Sequence, residues 1–255
     1  MKRLCALVLL LAGMSPALAE ATPDFQLYAG GKYDAAIRTG LARNDARGFA
    51  DAARAALADE TTREERCLPC LKRAEDYARR AIAAGPAMPD GHVYLAIALG
   101  LESRIEGTDE ARRKGYPGEA KRTLDAALAA APNNSWTLAA LGGWNIEVVR
   151  GGGKVLGYLL FGATLDKGRK LYAAAFEAAP DNIALRYQYA LTLSGYDAER
   201  FRGEIETSFL NVVKGKAGTA YDRLLQKRAG ELLELLKKGD ADAFAALARK
   251  YEGYP

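Results

Sequence analysis

Three stretches of the chain carry the same apolar pattern. Aligned without gaps, residues 74–86, 120–132 and 168–180 each open on a small residue: Ala74, Ala120 or Gly168. Ala78, Leu124 or Tyr172 stands four positions on, followed by Ala81, Ala127 or Ala175 and then by Ile82, Leu128 or Phe176. Each stretch ends at a proline: Pro86, Pro132 or Pro180. Steps of four and then three place these positions on one face of a helix. Proline cannot continue a helix and pushes the residue before it toward extended geometry, so each helix is predicted to stop at the same place. Asx residues follow (Asp90; Asn133 and Asn134; Asp181 and Asn182), suited to capping the free N–H groups of a new helix. Apolar runs over 92–101, 135–149 and 183–193 then complete a unit of helix, proline, Asx and helix.

Small residues alternating with large ones suit close antiparallel helix packing, and this pattern resembles the second helix of a tetratricopeptide repeat. The resemblance implies an all-α fold: a solenoid of antiparallel helix pairs wound as a right-handed superhelix. The period departs from the ordinary one. Successive terminal prolines lie 46 and 48 residues apart, against about 34 in a standard repeat. The excess falls in two insertions, residues 106–118 and 151–164, and insertions of this kind gather on one face of a solenoid, often the binding face.

The flanking segments differ. Residues 1–19 have the layout of a secretory signal peptide, with Lys2 and Arg3 ahead of a short apolar stretch and Ala17-Leu18-Ala19 before the expected cut. That stretch is too short to span a bilayer. The expected destination is the periplasm. Residues 20–66 read as a degenerate helical pair, in which Gly30, Tyr33 and Ala36 match a repeat-helix start, and residues 67–195 hold the repeats. Residues 196–255 read as capping helices over 198–214, 219–238 and 241–251, separated by Gly215, Gly218 and Gly239. The abundance of Ala, Leu, Arg, Glu and Lys supports helix throughout. Loss of residues 1–19, which carry two cations and no acid, lowers the net charge from +4 to +2. No basic cluster suggests nucleic-acid binding, and no later segment is long and apolar enough to span a membrane.

The second insertion is the most distinctive part. Gly151-Gly152-Gly153 should break the helix ahead of an apolar block, Val155 to Phe161. A phosphate loop does not fit, because Val148 and Val155 stand where glycine and Ser/Thr are required. Two readings remain open: a buried connector, or an apolar lip beside a groove. The Leu141-Gly142-Gly143-Trp144 helix, the Leu160-Phe161-Gly162-Ala163-Thr164 connector and the repeat helix closing at Pro180 resemble the regulator of microtubule dynamics family. That resemblance, over residues 74–193, implies a helical-repeat fold with an interaction role. It does not carry a microtubule function to an exported chain.

Candidate chemistry is sparse. Cys67 and Cys70, in Cys-Leu-Pro-Cys, are expected to form a structural disulfide in an oxidising compartment. A redox reading needs a thioredoxin-type βαβ context, which this all-helical chain lacks, and zinc needs two further ligands where the only histidine is His92. The single histidine, His92, opens an apolar helix and suits capping or packing. No catalytic set, cofactor or metal site stands out. The sequence therefore points to a binding protein that takes a protein or peptide partner on its concave face. The candidate contacts are Tyr94, Trp144 and Tyr187 on the first helices of the repeats, with Arg150, Lys154, Tyr158 and Phe161 at the insertion. Trp136 and Tyr189 share the same helices. The alternative is a small-ligand-binding accessory protein of a solute transport system, which would need an enclosed cavity near Trp144 and Tyr158.

Overall fold

The structure, a computed structural model, describes residues 22–254; the expected signal peptide lies outside them. Among the described residues there are thirteen helices and no strand. They are α1 (Pro23–Ala29), α2 (Tyr33–Arg43), α3 (Ala46–Thr62), α4 (Leu68–Ala84), α5 (Pro89–Glu106), α6 (Thr108–Arg113) and α7 (Tyr116–Ala130). Then come α8 (Ser135–Phe161), α9 (Leu165–Ala178), α10 (Ile183–Asp197), α11 (Arg202–Lys214), α12 (Ala220–Lys238) and α13 (Ala241–Glu252). The fold is all-α, built from adjacent helix pairs as the repeat pattern predicts.

The local signals act largely as read. Helices α4, α7 and α9 each stop two residues short of Pro86, Pro132 and Pro180. Asn134 caps α8 through the Thr137 N–H, and Asn182 caps α10 through the N–H groups of Ala184 and Leu185. Asp90 behaves differently: it lies inside the first turn of α5 and pairs with Arg47, leaving Met88 at the N-cap without a side-chain bond. The N-terminal segment holds three helices where a pair was expected. The first insertion folds as α6. In the second, Gly153 adopts φ +78° and breaks the helix, after which helical geometry resumes to Phe161.

Two layers follow from the contacts. Helices α3, α5, α8 and α10 touch one another in series, whereas α4, α7, α9 and α11 each lie outside that row and pack on it. Closer approach in the inner row curves the stack toward it. Where outer and inner helices cross, side chains are reduced to hydrogen. A Cβ on Gly168 would lie 2.6 Å from the Ile146 Cγ1 and 2.8 Å from the Gly142 carbonyl oxygen, and one on Gly142 would lie 2.7 Å from Tyr172 Cδ2. Gly40 and Gly48 meet across α2 and α3 in the same way. Gly168, the small residue that opens the third repeat stretch, is thus a backbone-contact position.

The C-terminal helices were expected to cap one end. They instead run back along the inner row. Tyr221 packs with Tyr28 and Tyr33 at the chain's other end, and Arg228 donates to the Thr61 carbonyl of α3 at 2.7 Å. Helix α13 lies on α10, and Phe244 and Ala248 enter the same core as Tyr187, Leu191 and Phe209. Beyond it, Glu252 meets Arg150 of α8 at 2.6 and 3.1 Å, while Arg104 of α5 donates to the Glu252 carbonyl. The solenoid is closed on itself.

Cys67 and Cys70 are disulfide-bonded at the start of α4. A bridge enclosing so short a loop restrains little chain, about 2 kcal/mol in the loop-entropy account. His92 is buried, its ring bonded to the Thr123 hydroxyl and the Pro86 carbonyl, which makes it a packing residue. No helix among the described residues is long and apolar enough to cross a membrane.

The α8–α9 crossing makes a direct prediction. Gly168→Ala improves helix propensity by about 1 kcal/mol, yet overpacking at the crossing costs about 1–3 kcal/mol. Urea unfolding should show a net loss of stability, and a gain would mean that the crossing is loose.

Candidate functional site

Closure leaves a cavity of about 1270 Å³ between the inner row and the returning helices. Its walls come from α3, α5, α8 and α10 on one side and α12 and α13 on the other, with the start of α7 at the rim. Most of the lining is apolar or aromatic. Its ionisable groups are unbalanced: seven arginines and two glutamates, with no lysine or aspartate.

Five of the seven arginines form two groups; Arg112, beside Asp109, and Arg122 belong to neither. In the first, Arg104, Arg150 and Arg249 surround the ring of Tyr254, at 5.8, 5.3 and 4.4 Å from its centroid. Both glutamates are here. Glu252 is buried and salt-bridged to Arg150, and Glu147 lies 3.4 Å from Arg104 and from Arg150. Burial holds the Glu252 carboxyl above the usual carboxylate range, against the pull of the Arg150 hydrogen bonds. The second group, Arg54 and Arg228, has no acid of the lining as an ion-pair partner. Arg228 is buried, sits over Tyr251 at 4.6 Å and has no carboxylate partner among the described residues. Arg54 lies over Tyr28 at 4.7 Å and pairs with Asp51 outside the cavity, but its Nε has no hydrogen-bond partner. The buried Tyr187 hydroxyl makes no hydrogen bond of normal geometry, with the Arg228 guanidinium close by. Desolvation pushes the Tyr94 phenol up to about 12 and that of Tyr187 higher still, so both remain neutral donors at physiological pH.

The candidate contacts divide accordingly. Tyr94, Trp144, Arg150, Phe161 and Tyr187 all line the cavity. Trp144 is fixed by donating its indole N–H to the Pro117 carbonyl at 2.9 Å and by an edge-on contact with Phe161. Arg150 turns inward to Glu252. Lys154 and Tyr158 are exposed and do not line it. The insertion beyond Gly153 is a lip: Leu156 and Leu160 border the cavity while remaining more than half exposed, and Val155, Tyr158 and Leu159 are 70, 62 and 70% exposed. The buried-connector reading fails for these side chains. Gly153 and Gly162, both at positive φ, bound the segment.

Residues absent from the sequence reading include Arg54, Arg104, Arg228, Glu252 and Tyr254. For Glu252 and Tyr254 the one visible signal was the density of Arg, Tyr and Glu over residues 249–254; Arg54, Arg104 and Arg228 had none. Only closure, which joins positions more than a hundred residues apart, brings them to one site.

The geometry defines an all-α helical-repeat protein closed around a large, partly open, arginine-rich cavity. Residues 42–151 match the family Regulator of microtubule dynamics protein 1-3. The match covers less than half of the chain, includes Trp144 and Arg150, and ends before the Leu160-Phe161-Gly162 connector. It supports similarity to a helical family with interaction roles. No curated protein matches the chain.

The Glu252–Arg150 pair gives a second prediction. Arg150→Ala leaves a buried carboxylate without its bidentate partner, and stability at neutral pH should fall by about 3 kcal/mol in urea unfolding. The folded-state pKa of Glu252 is raised, so its contribution is fully present below about 4.5 and is lost as pH rises through the folded value. The deficit of the variant should therefore shrink toward pH 4. A deficit independent of pH would place the cost elsewhere.

Proposed function

We propose that the protein is an exported, periplasmic binding protein of tetratricopeptide type that holds an amphiphilic ligand, with an apolar body and an anionic head, inside its cavity. One observation carries this reading: a large apolar chamber whose charged lining is seven arginines to two glutamates. Ordinary small-molecule pockets measure about 300–1,000 Å³, so the chamber has room for a long apolar chain. Arg54 and Arg228, which have no acid of the lining as a partner, suit the head, because a buried guanidinium gains most from an ionised acceptor. Trp144, Phe161 and Leu156 flank the apolar body near the lip.

A chain that works by holding its ligand needs no catalytic set. The adaptor reading, with an extended peptide along the concave face, has less support, since α12 and α13 already occupy that face. Export is supported by the signal-like residues 1–19 and by the bonded cysteine pair.

A long-chain carboxylate probe should quench the tryptophan fluorescence of the purified protein with micromolar affinity, and the matching alcohol should bind at least ~10-fold more weakly, the size of one charge-assisted hydrogen bond. Arg228→Met should remove most of that preference while leaving alcohol binding unchanged. Equal binding of the two probes, or of neither, would overturn the reading.

A further inference from the structure

Cys67 and Cys70 have surroundings that a structural bridge does not call for. Cys67 is the N-cap of α4, and its Sγ accepts the Cys70 backbone N–H at 3.2 Å. Cys67 is partly exposed, whereas Cys70 is 7% exposed. Beneath them lies Glu60, 1% exposed, which accepts the Cys67 N–H through Oε1 at 3.1 Å and has no hydrogen-bond partner for Oε2. A carboxylate oxygen and the two sulfurs all lie within 4.8 Å of one another. Arg66 and Arg63 approach the carboxylate at 3.7 and 3.9 Å, and burial raises the Glu60 carboxyl above its ordinary range.

These parts match what thiol–disulfide exchange requires. A thiolate is stabilised by a helix N-terminus, by a backbone N–H donor and by nearby guanidiniums. The partner sulfur is shielded from outside attack. A buried carboxyl group stands where it can pass a proton to or from that sulfur. The βαβ context used to recognise such motifs supplies these same features, and here the end of α3, the 63–67 loop and the start of α4 supply them without a sheet.

We infer that Cys67 and Cys70 form an exchange site that oxidises a cysteine pair in a protein or peptide. A substrate thiolate attacks Cys67 Sγ, the Cys67–Cys70 bond breaks, and Cys70 leaves as a thiolate that takes the Glu60 proton. The second substrate thiolate then attacks the substrate sulfur of the mixed disulfide, and Cys67 leaves as a thiolate held by the α4 N-terminus. The substrate dithiol passes two electrons to the protein disulfide and two protons to solvent; the protein is left with a Cys67 thiolate and a Cys70 thiol, and Glu60 regains its proton from solvent. This site lies outside the cavity wall and does not depend on the ligand proposed for it.

The test uses the full chain carrying Cys5→Ser, with a synthetic dithiol peptide as substrate. The oxidised protein should convert the peptide to its disulfide at least ~100-fold faster than an equal concentration of oxidised glutathione. In the reduced protein, Cys67 should titrate clearly below the ordinary thiol range of about 8.5. Cys70→Ser, its Cys67 first charged with glutathione, should release the glutathione to a single-cysteine peptide and hold that peptide as a mixed disulfide on Cys67, and Glu60→Gln should slow exchange about tenfold and flatten its pH profile at unchanged helix content. A rate no better than glutathione, or a Cys67 that titrates normally, would leave the bridge purely structural. A mixed disulfide recovered on Cys70 in Cys67→Ser but not on Cys67 in Cys70→Ser would overturn the assignment of roles.

Discussion

The buried carboxylate of Glu252 holds the molecule in its closed form. Through Arg150 and Arg104 it ties the end of α13 to α8 and α5, and the same helix buries Phe244 and Ala248 against α10. A lone buried charge costs several kcal/mol, so the guanidiniums must be in place whenever the helix is. Apolar packing supplies the driving force for the return of the chain, and the ion pair fixes where it lands.

The cavity follows from that landing. Helices α12 and α13 approach the inner row through large polar and aromatic side chains such as Tyr221, Arg228, Tyr251 and Tyr254, which bridge a space that they do not fill. Arginine suits such a wall because it stacks on rings and stays charged when partly desolvated. The same bridging leaves hydrogen-bonding capacity facing inward at Arg54 and Tyr187. The binding proposed for the cavity is a by-product of how the fold closes.

Much of the architecture was legible because its signals are local. Prolines 86, 132 and 180 end their helices, Asn134 and Asn182 begin new ones, and Gly168 marks a close crossing through its place in the repeat pattern. Trp144 and the lip were also visible, since a Gly-rich break before an acid-free apolar block is unusual wherever it occurs. What escaped was long-range. Nothing near Arg228 indicates Thr61, and nothing near Glu252 indicates Arg150, because both pairs exist only after the last two helices turn back. Glu60 was missed for a milder reason: it is seven residues before Cys67, on a different helix, and only the loop between them sets it under the sulfurs.

Closure also changes what can happen to such a protein over evolutionary time. An open solenoid gains or loses units easily, since each repeat touches only its neighbours. Here the arc from Tyr28 to Arg150 must match the span of α12 and α13, so one more helix pair would pull Tyr221 away from Tyr28 or Glu252 away from Arg150. Repeat number is therefore locked, and diversification has to proceed by lengthening connectors within a fixed count. The 46- and 48-residue spacings are what that history would leave behind.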